Sequence, residues 1–84
     1  MISLRTALII QSNDVLCEAG GPDPATGKFC GWIMENVERW APLLNTEPIY
    51  ETAEVAQKAM RDTVAIIRAA DLSKDIDQLL SIFP

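Results

Sequence analysis

An all-α fold, a small bundle of about four helices, is what this sequence predicts, and three observations carry it. Apolar residues recur at three- and four-residue steps through the last forty positions. The same spacing recurs between Phe29 and Leu44. The chain has one real loop, and no set of three convincing strands stands beside it. The alternative is an α+β fold with an N-terminal β-hairpin followed by three helices.

The N-terminal segment, residues 2–18, reads two ways. As a helix, Leu4, Leu8, Val15 and Ala19 line up, and Gly20 supplies the stop. As a hairpin, Ile2, Leu4, Leu8 and Ile10 alternate with polar neighbours, Ser12-Asn13-Asp14 turns, and Val15 to Cys17 returns. An isolated two-stranded hairpin is marginal in water, so the helix is preferred. Gly20-Gly21-Pro22-Asp23-Pro24-Ala25-Thr26-Gly27 follows as the loop.

In the middle segment Phe29, Ile33, Val37, Trp40 and Leu44 fall on one helical stripe, with Thr26 as cap. Gly31 weakens that helix by about 1 kcal/mol, and Pro42 ends it near Trp40 or Ala41. A long helix is expected over 48–71. Thr46 caps it, Pro48 sits in its first turn, and Ile49, Ala53, Ala56, Met60, Thr63, Ile67 and Ala70 form its apolar stripe. Glu47, Glu51, Glu54, Lys58 and Arg61 form the opposite stripe, with Glu54 and Lys58 spaced as an ion pair. Asp71-Leu72-Ser73 breaks the helix. A terminal helix over 74–82, with Ile76, Leu79, Leu80 and Phe83 on its apolar face, closes an αα-hairpin.

A length of 84 residues admits one domain, residues 1–84. Such a chain buries only about 60–65% of its unfolded surface, so its stability margin is thin. A homo-oligomer is a natural way to bury more apolar surface. Net charge is −5 and is spread along the chain. With no cluster of Lys or Arg, that charge disfavours direct nucleic-acid binding. The longest apolar run near the N-terminus, Ala7 to Ile10, is too short for a membrane span, and no signal-peptide pattern is expected. Cytoplasmic localisation with reduced Cys17 and Cys30 is the default.

Few residues suggest chemistry. There is no His, so the common general base and the commonest metal ligand are missing. Two cysteines thirteen residues apart make no zinc site by themselves. Gly27-Lys28 lacks the flanking Gly and Ser/Thr of a phosphate-binding loop, and Pro22 and Pro24 remove backbone donors. Glu35 and Glu38, one turn apart, read as a solvated face. Cys30 beside Phe29 and Trp32 reads as packing. No catalytic residue, metal ligand or cofactor is therefore expected.

The expected function is a small acidic, non-catalytic protein-binding module, of the kind found in inhibitors or immunity-type proteins that occlude a basic partner. Trp32, Glu47, Glu51 and Glu54 are its candidate contact residues. Trp is a strong interface anchor, and a carboxylate row suits a basic surface. The alternatives are an obligate homo-oligomeric scaffold and a helical bundle holding a small apolar ligand.

Overall fold

The computed structural model describes residues 3–37 and 42–74. It is an α+β fold. Helix α1 spans Leu4–Ser12, strand β1 Val15–Gly20, strand β2 Cys30–Glu35, strand β3 Pro42–Asn45 and helix α2 Ala53–Ala69. The strands form one antiparallel sheet in the order β1-β2-β3.

This corrects the all-α bundle. It also corrects the α+β alternative, because the N-terminal segment is a helix followed by a strand rather than a hairpin. Ser3 caps α1, its hydroxyl oxygen accepting from the Thr6 N–H at 3.1 Å. The helix ends at Asn13, well before the expected stop at Gly20. From Val15 the period changes to two: Val15, Cys17 and Ala19 are half-buried, while Leu16 and Glu18 are exposed.

The expected middle helix is two strands. β2 is the central strand, with β1 on one edge and β3 on the other, and it buries Ile33 on one face and Met34 on the other. Gly31 and Ile33 face α2, and Cys30, Trp32 and Met34 face the other way. A strand covered on both sides reads as a continuous apolar run, so its period is hidden. Pro42 begins β3, a position where a missing N–H is tolerated, instead of ending a helix. Residues 38–41, including Trp40, lie outside the described residues.

The loop expected at Gly20–Gly27 connects β1 to β2. Asp23 organises it: its Oδ2 accepts from Ala25 N–H at 3.1 Å and Thr26 N–H at 3.0 Å. Thr26 is thus a turn residue and not a helix cap. Gly27 has φ of 72°, a left-handed value that glycine adopts without strain.

The long helix starts later than expected. Thr52, not Thr46, is its cap, with its side chain accepting from Val55 N–H at 3.1 Å. Thr46 instead accepts from Gly31 N–H at 2.9 Å, and its own N–H donates to the Gly31 carbonyl at 2.8 Å. Both bonds tie the end of β3 to β2. Residues 71–74 form a turn. The remainder of the expected terminal helix over 74–82 lies outside the described residues.

One core holds the layers together. Ala7 and Ile10 of α1, Ile33 of β2, and Met60, Val64 and Ile67 of α2 are its buried members. α2 crosses one face of the sheet, and α1 packs beside α2. Each helix end is held by the other helix. Gln11 Nε2 donates to the carbonyls of Ile67 and Ala70, at 2.8 and 2.9 Å. Arg68 Nε and Nη2 donate to Ile10 and Asn13, at 3.2 and 3.0 Å. Carbonyls at the helix ends thus acquire side-chain donors, Ile67 in addition to the Ala70 N–H that caps α2 at 3.3 Å.

Candidate functional site

Among the described residues β1 is an edge strand, and its geometry defines a distinctive surface. The Asn36 N–H donates to Asp14 O at 2.9 Å, which fixes the hydrogen-bonding phase of the β1–β2 ladder. In an antiparallel pair that phase alternates. The main-chain groups of Leu16, Glu18 and Gly20 therefore turn towards β2. Those of Val15, Cys17 and Ala19 turn away, towards the open edge. Among the described residues one side chain reaches that edge: Gln57 Nε2 donates to the Cys17 carbonyl at 3.0 Å.

Between this edge and α2 runs an open groove of about 630 Å³. Val15, Cys17, Gln57, Arg61, Ala65 and Arg68 contribute to its lining. α2 is placed there because Gly31 lets it approach: a Cβ at Gly31 would lie 2.7 Å from Met60 Cγ and 3.2 Å from the Ala56 carbonyl oxygen. From that position α2 projects Gln57, Arg61 and Arg68 along β1 at steps of four and seven residues.

The groove is locally basic in an acidic chain. Arg68 is engaged with the end of α1, whereas Arg61 makes no hydrogen bond or ion pair among the described residues. Cys17 lies between them on the face packed against α2. Burial pushes its thiol up, against the opposing pull of Arg61 and Arg68. Cys30 lies on the opposite face of the sheet, where its thiol contacts the Gly20 carbonyl at 3.5 Å. Both cysteines are free.

The residues singled out from sequence do not share one helix. Trp32 stands on the sheet face away from α2, half-buried, with its ring over Gly20. A Cβ at Gly20 would lie 2.5 Å from Trp32 Cζ3, so the ring occupies the space a side chain would need. The Trp32 indole N–H is buried and has no acceptor among the described residues. Glu47 and Glu51 precede α2, and only Glu54 belongs to it. Glu51 pairs with Lys28 at 3.4 Å, an exposed contact. Lys58 pairs with Asp62 at 2.8 Å rather than with Glu54. Glu35 closes β2, half-buried, and Glu38 lies outside the described residues.

The expected contact set omitted the β1 edge. One signal was available: Val15-Leu16-Cys17-Glu18-Ala19 alternates in step with a strand before a Gly-Gly-Pro loop. Its partner strand was hidden inside an apolar run.

Among the described residues no group of three or more His, Cys, Asp and Glu side chains could share a metal ion. No described helix is long and apolar enough to cross a membrane. The bundle expected to hold an apolar ligand is replaced by a helix layer on a sheet.

Fold and site together define a two-layer α+β domain with an open edge strand beside a basic groove. No protein-family model, curated protein or solved structure matches the chain.

Proposed function

We propose that this chain is a non-catalytic protein-binding module whose β1 edge receives an extended segment of its partner. The observation that carries this reading is the row of outward main-chain groups at Val15, Cys17 and Ala19, bordered by the α2 groove. Strand addition draws affinity from main-chain hydrogen bonds and specificity from alternate side chains. Gln57 occupies one of the acceptors that an added strand would use, so it acts as a placeholder. The same reading puts the protein in a reducing, cytoplasmic setting, where both thiols stay free.

Ala19→Pro is the direct test. Proline there removes an outward N–H and leaves the β1–β2 ladder its donors. The variant should keep the wild-type circular dichroism spectrum. It should lose a stoichiometric partner that wild-type protein captures from cells that make it. Equal capture by both proteins, or no stoichiometric partner for wild type, would contradict the reading.

A second reading places a basic partner on the acidic side chains, as an inhibitor or immunity-type protein would. Glu47 and Glu54 favour it, being exposed and without ion pairs among the described residues. Glu51, exposed and paired with Lys28, would join them, whereas Trp32 stands on the sheet face away from α2 and lies apart from Glu54. Replacing Glu47, Glu51 and Glu54 together by Gln should then release a partner that survives Ala19→Pro. Retention of that partner would exclude this surface.

A further inference from the structure

We infer that the segment accepted by the β1 edge is an extended peptide carrying a carboxylate that faces α2 and meets Arg61. The inference rests on the strand-addition reading and adds the chemistry of the occupant.

Side chains of an added strand alternate between the two faces of the enlarged sheet. Residues directly opposite Val15, Cys17 and Ala19 would share their face, because opposed residues of an antiparallel pair point the same way. That is the face on which Ile33, the partner of Cys17 in the ladder, joins the core with α2. Side chains entering there meet the row that α2 sets along the groove. Gln57 reaches Cys17, and Arg68 reaches Asn13 at the start of the strand. Arg61, one turn beyond Gln57 on α2, falls between those two anchor points. It lines the groove beside Val15 and Cys17, its charge acts on the Cys17 thiol, and its donors are unused among the described residues.

A carboxylate in that position can accept two parallel N–H donors from one guanidinium. Arg68 adds positive potential without giving up its bonds to α1. Glu18 is the one acidic side chain lining the groove, and its main-chain phase sends it to the opposite face of β1. The net −5 charge of the chain acts over longer distances and is screened beyond about 8 Å at physiological salt, so the groove's own arginines decide.

The same charges argue against a second copy as occupant. Two-fold pairing of β1 with β1 would bring Arg61 and Arg68 of one chain towards Arg61 and Arg68 of the other. Registers that centre the pair on Glu18 would also oppose two carboxylates. Like charges directly opposed across strands are destabilising.

The test is selection from a random peptide library displayed on phage, against the wild-type chain, Arg61→Glu and Ala19→Pro, with dissociation constants measured on synthetic forms of the enriched peptides. Wild type should enrich β-branched peptides with Asp or Glu at one fixed position. Arg61→Glu should weaken those peptides about tenfold or more, and should enrich Lys or Arg at that position instead. Ala19→Pro should bind neither set.

Enriched peptides that need the free edge but show no acidic position would overturn this inference and leave strand addition standing. Enriched peptides that bind Ala19→Pro as well as wild type would overturn both. A concentration-dependent dimer in light scattering, abolished by Ala19→Pro, would name a second copy as the occupant and also overturn the inference.

Discussion

Gly31 controls how closely the helix layer approaches the sheet. Its missing side chain lets Met60 and the Ala56 carbonyl settle directly on β2. Gly31→Ala forces a Cβ against backbone as well as side chain, and Met60 alone cannot relieve both contacts. A loss of about 1–3 kcal/mol is expected, the usual cost of overpacking, read as a lower urea midpoint. A variant as stable as wild type would show that α2 does not rest on this strand. Met60→Ala combined with Gly31→Ala should lose less than the sum of the two single losses, because truncating Met60 relieves part of the clash.

Cys17 reports on the same layer from the edge. Burial raises its pKa in the folded chain above the ordinary thiol value, the arginines offsetting part of the effect. Folding therefore favours the protonated thiol. This contribution is complete below the ordinary thiol pKa and is lost as pH rises through the raised one. Alkylation of Cys17 by iodoacetamide should be slower in the folded chain than in urea-unfolded chain at the same pH. Equal rates would show that the thiol is not shielded.

At the scale of elements, the two helices are clasped by two side chains working in opposite directions. Gln11 serves the end of α2, and Arg68 serves the end of α1. Removing Arg68 takes the side-chain donor from Ile10 and Asn13, whereas removing Gln11 takes it from Ala70 and leaves the Ile67 carbonyl the Ala70 N–H at 3.3 Å. Gln11→Ala should cost about 1 kcal/mol and Arg68→Ala about 1–2 kcal/mol, with chemical denaturation as the measure. The double variant should lose less than the sum, since either change alone already loosens the same helix pair. Strict additivity would mean that the two clasps act on separate units.

How far the elements were legible follows from what their residues must do. α2 has one buried stripe and one wet face, so its period survives in sequence at Ala56, Met60, Thr63 and Ile67. Its start was misplaced because Thr46 and Pro48 resemble a helix beginning, whereas Thr46 is committed to Gly31 across the sheet. Tertiary pairing overrode a local signal. α1 was legible from Leu4 to Ser12, but the helix pattern was carried on through Val15 and Ala19, where a strand with inward Val15 and Cys17 takes over. β2 was not legible as a strand: Ile33 on one face and Met34 on the other are both buried, with Trp32 half-buried, and Phe29, Ile33, Val37 and Leu44 imitate a helix stripe by coincidence. The β1 edge was hidden for the same reason, because a strand cannot be placed at an edge until its neighbour is known.

At the scale of the whole molecule, three strands and two described helices enclose a small core. Among the described residues only β2 has a strand on either side, which leaves β1 with a ready template for pairing. Proteins often blunt such an edge with charge, a bulge or a covering element. Here, among the described residues, one amide side chain, Gln57, meets one carbonyl, and the arginines flank the strand rather than cover it. Gln57→Ala should therefore leave peptide binding at the edge intact or strengthen it, because the placeholder no longer has to move. Loss of binding in that variant would make Gln57 a contact to the partner instead.

Amide hydrogen exchange along β1 in the free protein tests the open edge most directly. The Leu16, Glu18 and Gly20 amides, bonded to β2, should exchange slowly, and those of Val15, Cys17 and Ala19 should exchange fast, giving a strict alternation over six residues. Uniform slow exchange from Val15 to Gly20 would mean that the edge is already covered, and the account of this protein as a strand acceptor would be wrong.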